Sequence, residues 1–143
     1  MRAAILDSSI YVSVLRAGEG AILTLREFAA GSTIWLSAVV LQELYTGARD
    51  RDRAFVEGID AEFRRMDRIL VPNLDDWTRA GRVLAQLAAK YHYEKIGRAR
   101  LTNDALIAMT ASRLELTLIT ANQRDFRRLS EFCSFHLHVL DFT

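Results

Sequence analysis

Short apolar runs alternate with helical stretches along the whole chain, and few folds accommodate that alternation. Residues 3–6 are apolar and stop at Asp7-Ser8-Ser9, as a buried strand does where a helix begins. Residues 20–30 carry the spacing of an amphipathic helix, and residues 33–36 predict a second strand. Ser37 is placed to cap a helix over 38–48. A charged helix over 53–65, a short strand over 68–71 stopped by Pro72, and a long helix over 75–91 come next. A basic, glycine-containing connection at 93–101 leads to a helix over 103–114 that is apolar nearly all round, hence buried. Strand 117–120, helix 123–131 and strand 138–140 close the pattern. Strands alternating with helices imply an α/β fold, a parallel sheet with helices on both faces. Sites in such sheets form at the carboxyl ends of the strands, which points to Asp7 and to the segment after Thr120.

The chain has 143 residues, half of them hydrophobic, which suits one domain with a full core. No linker or repeat interrupts it. A single cysteine, Cys133, excludes an internal disulfide and fits a reducing cytoplasm. Beside Phe132 and Phe135 it reads as a small apolar residue rather than a nucleophile. The first apolar run is too short for a secretion signal. The longest uncharged stretch, residues 28–42, is broken by Gly31, Ser32, Thr33, Ser37 and Gln42. It is also shorter than the roughly 20 apolar residues of a membrane span. The expectation is a soluble, cytoplasmic protein with no membrane partner.

Net charge is +1, so bulk charge does not announce a nucleic-acid binder. The cations are nearly all arginine, with Lys90 and Lys95 the only lysines. Arginine grips phosphate in a bidentate fork, although a GC-rich genome produces the same bias. Lys95, Arg98, Arg100, Arg124, Arg127 and Arg128 are candidate phosphate grips. Each also serves as an ordinary solvated charge.

The acids carry the chemistry. Asp7 follows the first strand. It can cap the next helix, but Ser8 and Ser9 can do that equally well. Glu43 lies at the edge of the apolar face of helix 38–48, where a solvated glutamate is the plain alternative. Gly47, one turn on, costs about 1 kcal/mol of helix propensity unless a close approach needs it or the helix ends there. Asp104 sits in the first turn of helix 103–114, favoured there by the helix dipole, yet among apolar neighbours that force it to find a partner or shift its pKa. Asn122 and Asp125 follow strand 117–120 and resemble a capping arrangement. Together these residues place carboxylates at the top of two α/β units, with another from an intervening helix. Carboxylates sharing a cleft repel unless a cation joins them. Oxygen donors select hard ions such as Mg²⁺, Mn²⁺ or Ca²⁺. His92, His136 and His138 are not spaced with Cys133 as a zinc cage.

The order of these residues resembles the PIN-domain nucleases, specifically VapC-type toxins of toxin–antitoxin pairs, over essentially the whole chain. Ile5-Leu6-Asp7-Ser8-Ser9 is similar to the opening motif of that family. Val40-Leu41-Gln42-Glu43-Leu44-Tyr45-Thr46-Gly47 is similar to the second. Asn103-Asp104-Ala105-Leu106-Ile107-Ala108 is similar to the third, and Leu118 to Phe126 to the closing Thr-x-Asn-x-x-Asp-Phe motif. The resemblance implies a five-stranded parallel sheet and an endoribonuclease dependent on Mg²⁺ or Mn²⁺. It further implies a homodimer silenced by a DNA-binding antitoxin. Asp7, Glu43 and Asp104 correspond to metal ligands. The fourth position is open: many relatives have an aspartate where this chain has Asn122, and Asp125 is the alternative source of charge. Ser9 and Thr120 are candidates to hold ligands or water from behind.

Three other classes share parts of this pattern. An aspartyl phosphotransferase has Asp-x-Asp after its first strand, where this chain has Asp7-Ser8-Ser9. A signalling receiver domain needs an acidic pair after strand one and a lysine after a late strand, and has neither here. A PIN fold that binds RNA or a partner without cutting is opposed by the acidic trio.

Overall fold

In the computed structural model, which describes residues 2–17, 27, 30–92 and 98–141, β1 (Arg2–Leu6) is the central strand of a five-stranded sheet. The others are β2 (Ser32–Ser37), β3 (Ile69–Leu70), β4 (Thr117–Thr120) and β5 (His136–Val139). All pairings are parallel, in the order β3-β2-β1-β4-β5. The expected five-stranded parallel α/β sheet is therefore present. Ala4, Ile5 and Leu6 are at most 2% exposed, as a strand covered on both faces requires.

Six α-helices fall among the described residues. They are α1 (Ser8–Ala17), α2 (Ala38–Gly47), α3 (Arg53–Arg65), α4 (Leu74–Tyr91), α5 (Arg98–Leu114) and α6 (Gln123–Leu129). Ser37 caps α2 as predicted, accepting from the Val39 N–H at 3.1 Å. A 3-10 turn, Asp50–Asp52, joins α2 to α3. The helix predicted over residues 20–30 lies, but for residues 27 and 30, outside the described residues, and so does Lys95.

One boundary differs in a way that matters. The helix expected from residue 103 begins five residues earlier, at Arg98. Arginine, alanine and leucine are good helix formers, so the helix extends backward through what reads as a basic connection. Asp104 is consequently interior to α5 and not in its first turn, and the dipole explanation for it lapses. Residues 104–111 are all buried.

The strand order creates one special place. From β1 the chain moves to β2 on one side, then returns to β4 on the other. Connections therefore diverge between the carboxyl ends of β1 and β4, which leaves a crevice there.

Candidate metal centre

Asp7 stands at that crevice. Its backbone N–H donates to the Ile119 carbonyl at 3.0 Å, which extends the β1–β4 ladder by one rung. Its side chain is only 4% exposed. Two hydroxyls hold it. Ser9 Oγ donates to one carboxylate oxygen at 2.5 Å, and Thr120 Oγ1 to the other at 2.8 Å. The same hydroxyls accept backbone N–H groups, Ser9 from Ala121 and Thr120 from Asn122, each at 2.9 Å. The β4–α6 turn is thus tied to Asp7 through two side chains.

Burial raises the Asp7 pKa. The bonds from Ser9 and Thr120 and from the Ile10 and Ser9 amides oppose that rise without cancelling it. Among the described residues no cation forms an ion pair with Asp7. One turn along α1, Tyr11 is also buried, and its hydroxyl has no hydrogen-bond partner among the described residues. Burial, reinforced by the Asp7 charge, keeps that phenol protonated well above its ordinary range. Tyr11 escaped the sequence reading because an aromatic on a buried helix face looks like core. Its spacing of four from Asp7 was the available signal.

Glu43 is half-buried, with one carboxylate oxygen shielded from solvent. Its helix, α2, touches both α1, which directly follows Asp7, and α5, which carries Asp104. Asp104 is 6% exposed. Among the described residues, however, no three acidic, imidazole or thiol side chains approach closely enough to enclose one ion. The donor chemistry suits a hard divalent cation: carboxylates on adjoining elements, one raised by burial and lacking a counter-charge. The spacing does not by itself make a closed cage.

The closing segment departs from a plain cap. Asn122 holds the N-cap position of α6, but its side chain makes no capping bond, and its own N–H bonds Thr120 Oγ1, where a capping box would place the Asp125 carboxylate. Asp125 is half-buried in the first turn of α6. Of the candidate grips on this helix, Arg124 and Arg127 are exposed and Arg128 lies over the Tyr91 ring at 4.8 Å. Arg98 and Arg100 belong to the first turn of α5. Cys133 is half-buried, its thiol pushed up to about 11 by burial, which leaves no reactive thiolate at neutral pH.

On the open side, a cleft of about 830 Å³ runs between α1 and the α2–α3 corner, and Glu43 and Ser8 both line it.

A parallel α/β sheet of this order, with an acid fixed at its switch point, defines a class of proteins that work at the strand ends. Residues 4–131 match the model of the PIN domain. The chain belongs to the PIN-domain family, whose nucleases generally use a divalent metal. Solved structures share its fold. VapBC2 from Rickettsia felis, bound to a promoter DNA fragment, matches with a TM-score of 0.69 and 24% identity, over 97% of this chain and 99% of that one. DNA-bound VapBC from Salmonella typhimurium matches with a TM-score of 0.68 and 22% identity, over 97% and 98%. VapBC-5 from Mycobacterium tuberculosis, of the VapBC family of toxin–antitoxin systems, matches with a TM-score of 0.65 and 22% identity, over 98% and 100%. At these identities the likeness is one of fold. A comparison with curated proteins found no match. Among the described residues no helix is long and apolar enough to cross a membrane.

Proposed function

We propose that this chain is an endoribonuclease dependent on Mg²⁺ or Mn²⁺, acting in the cytoplasm as the toxin of a toxin–antitoxin pair and as a homodimer. The observation that carries the reading is Asp7: a buried carboxylate at the switch point, held by two hydroxyls and paired with no cation among the described residues. Such a group is costly to ionise unless a cation arrives. Asp7, Glu43 and Asp104 would hold that cation, with Asp125 or Asn122 at the margin. When bound, the ion acidifies a water and neutralises charge on the scissile phosphate. The chain's own residues do the positioning. Ser9 and Thr120 fix both oxygens of Asp7, and the turn after β4 is locked to them. Flexible single-stranded RNA suits an open site of this kind. The antitoxin partner is supported by the VapBC complexes that share the fold.

The test is cleavage of single-stranded RNA with Mn²⁺, Mg²⁺ or EDTA. Cutting is expected only with metal, and Glu43→Gln and Asp104→Asn should each reduce it by more than the roughly 10–100-fold typical of groups that merely support a ligand. Undiminished cutting in EDTA, with contaminating nuclease excluded, overturns the mechanism. The second reading, a PIN fold that binds RNA or a partner without cutting, draws on the absence of a ready-made cage among the described residues. RNA binding with no Mn²⁺-dependent cutting would establish it instead.

A further inference from the structure

The cleft beside Glu43 is lined by three arginines and two acids. Ser8, Val12, Leu15 and Arg16 line one wall at helical spacing, so it follows one face of α1. That wall begins at the residue after Asp7 and runs roughly 12 Å, at 1.5 Å rise per residue, to Arg16. The facing wall is the end of α2 and the turn beyond it, with Glu43, Arg49, Arg51 and Asp52. Three guanidinium groups thus meet two carboxylates, one of which is a proposed metal ligand.

Little competes for these arginines. Arg16 and Arg49 form no ion pair among the described residues. Arg51 reaches Asp52 only at 4.0 Å with its side chain 76% exposed, a pair that contributes little. Gly47 supplies a second observation. It ends α2 and lines the cleft, and a Cβ placed on it would meet nothing within 4 Å. Packing inside the protein therefore does not require glycine there, whereas the missing side chain leaves the cleft open to an approaching chain.

We propose that this cleft is the path by which a single RNA strand reaches Glu43, its phosphates gripped by Arg16, Arg49 and Arg51 and its bases resting on the apolar floor that Val12 and Leu44 help form. The proposal rests on the nuclease reading and extends it to substrate placement. These arginines differ from the candidates on the α6 side. They escaped the sequence reading because Arg16 lies 33 or more positions from the other two and meets them only when α1 folds against the α2–α3 corner.

The test measures binding of a single-stranded RNA oligonucleotide by fluorescence anisotropy, without divalent metal, from 50 to 200 mM salt. These are assay conditions of roughly the range over which phosphate contacts show themselves. Each of Arg16→Ala, Arg49→Ala and Arg51→Ala should weaken binding whatever the RNA sequence. Each should also flatten the slope of log affinity against log salt by about 0.7, the release expected for one phosphate contact on a single strand. With Mn²⁺, KM should rise while kcat is kept. Gly47→Leu, which favours the helix, should melt at or above the parent temperature yet bind RNA less well. Variants that keep the parent's affinity and salt slope overturn the proposal, as does a triple arginine variant that binds RNA normally but no longer holds a protein partner. A parent that binds RNA with the expected slope but never cuts it breaks the nuclease reading and leaves the cleft assignment standing.

Discussion

Two buried aspartates divide the molecule between them. Asp76, fully buried near the start of α4, closes a capping box with Asn73. It also pairs with Arg113 of α5 at 2.9 Å and lies 3.3 Å from the Thr110 hydroxyl. Burial pushes its carboxyl upward, but Arg113, the Asn73 N–H and Thr110 outweigh that and leave it lowered. Asp7 is buried almost as deeply, yet among the described residues its partners are hydroxyls and amides, and it stays raised. One acid carries its counter-ion within the fold. The other is organised in geometry but not neutralised. That difference separates an acid that holds helices together from one that, on the proposed reading, is prepared for a cation from outside.

The largest effects test this contrast directly. Asp76→Ala should cost about 1–2 kcal/mol in urea denaturation, because it removes the reciprocal half of a capping box and leaves the Asn73 N–H without its partner. Asp7→Asn should keep or raise stability while abolishing Mn²⁺-dependent cutting. The pH dependences should run in opposite directions. The lowered Asp76 carboxyl gives stability that is present above the unfolded carboxylate range and is lost as pH falls through its folded pKa. The raised Asp7 carboxyl favours folding only below its unfolded value, and that contribution is lost as pH rises through its folded pKa. The advantage of Asp7→Asn over the parent should therefore grow with rising pH and shrink when Mn²⁺ is added. Equal destabilisation by both substitutions at neutral pH would erase the distinction.

A smaller effect sharpens it. If the hydroxyls prepare Asp7, Ser9→Ala and Thr120→Val should lower turnover about 10–100-fold. Each should also shift the acidic limb of the pH–rate profile upward, since a bond favouring the charged carboxylate is lost. Thr120→Ser should restore both. Loss of stability with an unmoved profile would assign the hydroxyls to packing.

The smallest effect concerns α6. Since Asn122 makes no capping bond, Asn122→Ala should cost less than the roughly 1 kcal/mol of a lost cap. Asp125→Asn should weaken Mn²⁺ binding more than Asn122→Ala does, because an anionic oxygen is removed. Calorimetric Mn²⁺ titration of both variants decides it. Unchanged affinity in Asp125→Asn returns that residue to the surface.

Much of this was legible beforehand because it is local. The apolar run ending at Asp7 located β1, and Ser37 announced α2 through its cap. The start of the Asp104 helix is not legible in the sequence, because charged helix formers look the same in a loop as in a first turn. Asn122 and Asp125 resemble a capping box in sequence, which cannot show that Thr120 has taken the N–H that Asp125 would bond.

The sequence by itself determined the alternation of strands and helices and the placing of Asp7 at a strand end, since hydrophobic period and capping chemistry act over a few residues. Only the tertiary structure decided which buried acid is neutralised. Thr120 lies 113 positions from Asp7 and Arg113 lies 37 from Asp76. Strand order and helix packing bring the one a hydroxyl and the other a guanidinium, and neither partner is encoded in any local period.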